Sequence, residues 1–415
     1  MRFGRSKTAR FVFNLIIGFV GLSANASLAA ASDPIEKLTA WLDLNPSDRP
    51  PLADQAFSRE AISAKAANEA KRLLWEDRLE RVRRERKEEM EGRTLRDNDL
   101  AMRFHYETFG EEPKAGRSLF ISMHGGGETA ALTNDRQWEN QKRLYRPAEG
   151  VYVAPRAPTN TWNLWHQGHI DRLFVRLIEN FVAFENVNPN RVYLLGYSAG
   201  GDGVYQLAPR MCDRWAAAAM MAGHPNDASP LSLRNVPFVI QVGDLDKAFR
   251  RNEVAKGWAE KLAKLQEADP NGYDHLVKIY PNKGHWMDRQ DAIALPWMAE
   301  YTRQATPSKI VWKQDDATTS HCYWLSVEPP DTKRRSQINA EVIGNTIQLS
   351  SDSVNRVNVH LDDRFVDLSK PVEIKIDEDV VFTSEVKRTI AHLNASLERT
   401  GDVHLSFPVS VTVEW

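Results

Sequence analysis

Ser198 stands in Gly196-Tyr197-Ser198-Ala199-Gly200, directly after Val192-Tyr193-Leu194-Leu195, a run suited to a buried strand. A serine hydroxyl is a poor nucleophile at neutral pH. To attack a carbonyl it needs a base in hydrogen-bond reach, a group that orients the base, and donors for the oxyanion that forms. The chain offers a candidate for each part. His124-Gly125-Gly126-Gly127 carries backbone N–H groups with no side chains in their way. Gly243-Asp244-Leu245-Asp246 supplies a carboxylate from either aspartate, and Lys283-Gly284-His285 supplies an imidazole. The order is serine, aspartate, histidine, and each follows an apolar run. A G-x-S-x-G turn of this kind, with its acid and histidine downstream, is a nucleophile elbow in the making.

The elements that must position these groups alternate along the chain. Strand-like runs are "SLFISM", "GVYVAP", "RVYLL", "AAAAMM", "PFVIQV" and "HLVKIY". Between and after them lie helical patterns: "DRLFVRLIENFVAFENV", "GGDGVYQLAPRM", "RNEVAKGWAEKLAKLQEA" and a last helix "DAIALPWMAEYTRQ". Such alternation predicts a mostly parallel sheet covered on both faces. In an open sheet of that kind, reactive groups gather at the carboxyl ends of the strands, where all four loops sit. This gives a catalytic domain over 98–305. Before it, 32–97 reads as a helical arm whose charges alternate in sign, an amphipathic helix lying on the next domain rather than a nucleic-acid stripe. After it, 306–415 is a β-rich module of short β-branched runs, sandwich-like, with one helix near 387–400.

"HGGG", "GYSAGG", "GDLD" and "KGHW", in this order and setting, resemble the α/β-hydrolase superfamily. More narrowly they resemble its exported esterases, the polyhydroxybutyrate depolymerase-like and feruloyl or acetyl-xylan esterase-like proteins. "VNPNRVYLLGYSAGG" is similar to the nucleophile segment of that branch, and "TWNLWHQGHIDRLFVRLIE" to its tryptophan-containing stretch. The likeness covers about residues 100–304. It implies Ser198 as nucleophile, His285 as general base and Asp246 as its orienter. Asp246 is preferred to Asp244 because the family places its acid three residues after this glycine. Oxyanion donors would come from Ala199 and from Gly125, Gly126 or Gly127. Trp162, Trp165, Tyr197 and His224 are candidates for substrate contact; for the tryptophans the alternative is the core, for His224 an exposed loop. His124 reads as a loop-positioning residue. The chain departs from the branch in lacking the cysteine of the tryptophan stretch and in carrying Glu128 straight after the glycines.

The remaining sequence sets bounds. Over 415 residues the net charge is −2, which gives no argument for nucleic acid. No P-loop, G-x-G-x-x-G or H-E-x-x-H pattern occurs, so neither cofactor nor metal is expected. Arg2, Arg5, Lys7 and Arg10 precede "FVFNLIIGFVGLSA" and "NASLAAAS". That is a signal peptide over 1–31, with an uncleaved anchor as the rival, and it implies a secreted or periplasmic protein without stable membrane insertion. Cys212 and Cys322 are the two cysteines. Export permits their pairing; the alternative is two separate buried side chains. The expected substrate is a small-molecule or polymer ester. A peptidase of the same fold shares the chemistry, and a non-catalytic binding protein on a hydrolase fold is the other reading.

Overall fold

Eight strands build the central sheet of the computed structural model, which describes residues 33–415; the expected leader at 1–31 lies outside the described residues. In chain order they are β1 (Thr94–Asp97), β2 (Leu100–Phe109), β3 (Arg117–Met123), β4 (Gly150–Pro155), β5 (Val187–Tyr197), β6 (Ala217–Met221), β7 (Phe238–Gly243) and β8 (His275–Tyr280). Their order across the sheet is β1-β2-β4-β3-β5-β6-β7-β8. From β4 to β8 neighbours run parallel, while β1 and β2 join antiparallel at one edge. This is the α/β-hydrolase fold. The central strands β3, β4, β6 and β7 are buried along nearly their whole length, and β5 is buried from Val192 to Tyr197, as a parallel sheet covered on both faces requires.

The helices are α1 (Pro34–Leu42), α2 (Ala64–Glu85), α3 (Lys87–Glu91), α4 (Ala131–Gln141), α5 (His169–Glu185), α6 (Ala199–Arg210), α7 (Arg251–Ala268), α8 (Ala294–Ala299) and α9 (Ile390–Thr400). Leu173, Phe174, Leu177 and Phe181 recur on one side of α5 and join the core with Trp165, Tyr205, Phe238 and Trp258. α4 has no counterpart in the sequence reading. Its buried residues are Asn134, Trp138 and Gln141, too polar a set to announce an amphipathic helix. The final helix expected over "DAIALPWMAEYTRQ" shortens to a 3-10 turn, Gln290–Ile293, and α8.

The predicted domain boundaries cross shared structure. Residues 34–415 form one compact unit. The 97/98 boundary falls inside the β1–β2 hairpin, where Asp97 pairs with Leu100. In the arm, Leu38, Leu52, Ile62, Ala70 and Leu74 bury against Ile390, Leu393 and Leu397 of α9, so arm and C-terminal region share a core. The charged helix α2 lies on α5: Arg78 and Arg86 both meet Glu179 at 2.6 Å.

The C-terminal strands are β9 (Lys309–Lys313), β10 (His321–Cys322), β11 (Leu325–Ser326), β12 (Gln337–Ile343), β13 (Thr346–Ser351), β14 (Arg356–Leu361), β15 (Val372–Ile376), β16 (Asp379–Ser384) and β17 (Val409–Glu414). They form a four-stranded sheet, β10-β11-β14-β17, and a five-stranded one, β16-β15-β13-β12-β9. One pair, β13 and β15, runs parallel, a departure from an all-antiparallel module. The run "VHLSF" is not strand: Val403–Leu405 is a 3-10 turn. Among the described residues no helix is long and apolar enough to cross a membrane.

Candidate active site

Ser198 sits where β5 turns into α6, with φ 58° and ψ −122°. An L-residue rarely holds that conformation, and where it occurs the surroundings enforce it. Here the turn is closed by Ser198 N–H donating to the Met221 carbonyl at 2.9 Å. Glycines allow the tightness. A Cβ at Gly200 would strike the Met123 carbonyl, and one at Gly196 would strike the Gly200 carbonyl. Both collisions are with backbone, which cannot swing aside.

The loops after β7 and β8 bring the partners. Ser198 Oγ lies 2.9 Å from His285 Nε2, and His285 Nδ1 lies 2.7 Å from Asp246 Oδ2. With Nδ1–H donating to the carboxylate, Nε2 is the acceptor facing the hydroxyl. Asp246 is 2% exposed, whereas the His285 side chain is 43% exposed. The carboxylate is thus buried, and the imidazole it orients reaches solvent. Asp244 makes no such contact; one of its carboxylate oxygens is buried without a partner among the described residues. Tyr197 donates its hydroxyl to the His285 carbonyl at 2.6 Å and accepts from Met287 N–H at 3.2 Å. It therefore anchors the histidine loop as well as lining the cleft.

The glycine loop after β3 packs against the serine. A Cβ built on Gly125 would come within 3.0 Å of Ser198 Cβ. Gly127 does not fill the donor role expected of it. Its N–H is spent on Asn134 Oδ1 at 3.0 Å, and Asn134 Nδ2 holds Thr129 Oγ1 at 2.9 Å. Among the described residues the N–H groups of Gly125, Gly126 and Ala199 have no protein acceptor. Ala199 opens α6, where the helix dipole adds positive potential. His124 is fully buried, and burial pulls its pKa down to about 3. Neutral at working pH, it bonds the Gly125 carbonyl through Nδ1 at 2.6 Å and accepts from Ala157 N–H at Nε2.

Two clefts flank Ser198. The larger, about 900 Å³, is lined by Ser198, His285, Tyr197 and Trp286, and by Thr133, Gln137 and Asn140 from α4. The smaller, about 270 Å³, is lined by Gly126, Gly127, Ala199, Trp162, His224 and Arg251. Trp162 and His224 thus face a cleft. Trp165 does not: it is fully buried, its indole N–H donates to the His124 carbonyl at 2.9 Å, and it packs on Phe174. It is a core tryptophan that supports the glycine loop. The sequence reading also missed Asn134, Arg251 and Asp202. Arg251 Nη1 lies 3.7 Å from Asp246 Oδ1. Asp202 Oδ1 accepts from His224 N–H at 2.6 Å, and burial pushes its pKa up to about 6. Asn134 belongs to the unannounced helix; "FRR" after the acid was the one hint of Arg251.

Carboxylate oxygens of Asp227, Asp315 and Asp316 lie within 4.8 Å of one another, the spacing a metal ion would need. Arg335 pairs with all three, so one guanidinium already offsets part of their charge.

Residues 152–313 match the dienelactone hydrolase family. The matched stretch is less than half of the chain; it contains Ser198, Asp246 and His285 and leaves out the glycine loop. Similar solved structures include a thermostable esterase at 18% identity, over 51% of this chain and 62% of that one, with a TM-score of 0.39. A poly(3-hydroxybutyrate) depolymerase from Bordetella parapertussis is 17% identical over 51% of this chain and 91% of its own, TM-score 0.37. A feruloyl esterase module from Clostridium thermocellum is 14% identical over 50% of this chain and 86% of its own, TM-score 0.35. No curated protein matches the chain. The family match on this fold supports a carboxylic ester hydrolase in general terms.

Proposed function

We propose that the chain is an exported serine hydrolase of carboxylic esters working through Ser198, His285 and Asp246. The observation that carries this reading is the unbroken line of contacts from Ser198 Oγ through His285 to buried Asp246, beside unpaired N–H groups. Ser198 attacks the ester carbonyl while His285 Nε2 takes its proton. The N–H groups of Ala199 and Gly126 hold the oxyanion. His285, kept in its tautomer by Asp246, then protonates the leaving alcohol, and water clears the acyl-enzyme by the same steps. The alcohol must leave on the side of His285, which faces the 900 Å³ cleft. The acyl group then lies toward the 270 Å³ cleft beside Ala199 and Gly126, which favours short acyl chains.

The test is hydrolysis of p-nitrophenyl esters of rising acyl length by the wild type and by Ser198→Ala. Acetyl and other short esters turn over fastest in the wild type. The variant keeps the wild-type circular dichroism and loses at least about 1,000-fold in kcat/KM. A variant as active as the wild type removes Ser198 from the mechanism.

A further inference from the structure

The two cysteines of the chain meet. Cys212 lies just beyond α6, the helix that begins at Ser198, and Cys322 lies at the end of β10 in the C-terminal region. They are 110 residues apart in sequence, yet their Sγ atoms are 3.1 Å apart, and both side chains are buried at 2% and 1% exposure. Both are free, buried thiols, as one of the two readings had it, but they lie in contact rather than apart.

The backbone around both thiols is fixed. Tyr323 donates its hydroxyl to the Cys212 carbonyl at 2.7 Å, and its N–H to Asp213 at 3.3 Å. Cys322 pairs with Leu325 across the short β10–β11 hairpin. Arg214 donates to the Thr400 carbonyl at 2.8 Å and contacts His321 at 3.0 Å. Four consecutive bonds therefore clamp residues 212–214 to residues 321–323 and 400. A disulfide has an S–S length of about 2.05 Å, so about 1 Å of approach closes it.

We propose that Cys212 and Cys322 form an intramolecular disulfide that ties the far end of the nucleophile's helix to the C-terminal β-region. The oxidant is a disulfide, either a small molecule such as oxidised glutathione or a protein. One cysteine thiolate attacks the oxidant and expels one thiolate, giving a mixed disulfide. The second cysteine thiolate then attacks the mixed disulfide at the chain's own sulfur and expels the other. Two thiol protons and two electrons pass to the oxidant, which leaves as two thiols. Exchange needs an accessible thiolate. Burial pushes the Cys322 thiol well up, so it forms little thiolate in the folded chain, and both sulfurs are shielded from solvent. The bond is made while the C-terminal strands dock, and packing then seals it from reductant. Closing a loop of this length restricts the unfolded chain, which is where most of the stabilisation arises.

The full-length chain is refolded in a reduced/oxidised glutathione buffer, then denatured in guanidinium with N-ethylmaleimide. Without reductant the expected product is a monomer with no maleimide adduct, lighter than the thiol form by two hydrogens. Reduction in denaturant restores two adducts, whereas the same reductant on native protein leaves none. Two adducts without prior reduction, or disulfide-linked dimers, overturn the proposal. The Cys212→Ala/Cys322→Ala double variant separates bond from packing. It keeps wild-type ester hydrolysis and melts several degrees below the oxidised wild type, together with wild type folded in reductant. A double variant that melts with the oxidised wild type overturns the staple. The adduct counts and the melting shift do not depend on the role of Ser198.

Discussion

The rim around Ser198 and the flank around Cys212 handle polar groups in opposite ways. At the rim, groups are held in reach of one another but left with capacity to spare: His285 is partly exposed, and the Gly126 and Ala199 N–H groups have no protein acceptor among the described residues. Ser198 itself holds φ 58° there, a conformation that a residue with a side chain rarely adopts. On the flank, buried charges are paired. Arg303, 3% exposed, donates to Asp402 at 2.7 Å and to Asn190 at 3.0 Å. Arg78 is shared between Glu179 and Glu398 at 2.6 and 2.7 Å. A buried charge without its partner is strongly unfavourable, so a region built for holding pairs its charges off. A region built for chemistry keeps its donors free. The same side-chain types thus serve attachment in one place and reactivity in the other.

If that contrast is right, damage at the rim costs rate and damage on the flank costs stability. The largest effect belongs to Asp246→Asn. An amide oxygen there is drawn toward the Arg251 guanidinium, which leaves the amide NH2 donating to His285 Nδ1; the ring proton then sits on Nε2, facing Ser198, and kcat falls by about 10³–10⁴. The melting temperature stays within a few degrees. A large loss of stability with kcat intact would invert the comparison. Next is Arg303→Ala, which leaves Asp402 buried and unpaired and costs about 3–5 kcal/mol in urea unfolding. The fraction that remains folded hydrolyses ester at the wild-type rate. A loss of kcat per folded molecule would show that the flank reaches into the chemistry.

The smallest effect comes from Asp202, a rim carboxyl whose pKa is raised by burial from 3.8 to about 6. The folded chain holds this proton more tightly than the unfolded chain, so folding takes up a proton between these values. Stability therefore falls as pH rises from about 4 through about 6. Asp202→Asn keeps the acceptor for His224 N–H and removes the titration. Its unfolding free energy loses this pH dependence and exceeds that of the wild type above pH 6 by at most about 3 kcal/mol. Parallel wild-type and variant curves across that range would contradict it.

How far the sequence spoke depended on whether a feature was local. Gly, Ser, Asp and His after β-branched runs mark strand ends, and the sheet gathers those ends at one edge; the four loops were readable for that reason. Which loop groups are free was not readable. Gly127 has the same letter as Gly126, and only Asn134, seven residues on, takes its N–H. Trp162 and Trp165 are three residues apart, yet one is 54% exposed and the other fully buried. The difference lies in His124 and Phe174, which pack on Trp165. α4 hid because its buried face is Asn, Trp and Gln. The domain boundaries slipped because the contacts that cross them, α2 with α9 and Cys212 with Cys322, link residues hundreds or about a hundred positions apart. No local pattern carries such a pairing.

The most direct measurement of the central claim is covalent labelling of the folded chain with a fluorophosphonate, read by peptide mass spectrometry. The account predicts one adduct, on Ser198, formed rapidly by the wild type and slowed by at least about 100-fold in His285→Ala. No adduct on folded wild type, or an adduct on another serine with Ser198 unmodified, would contradict it.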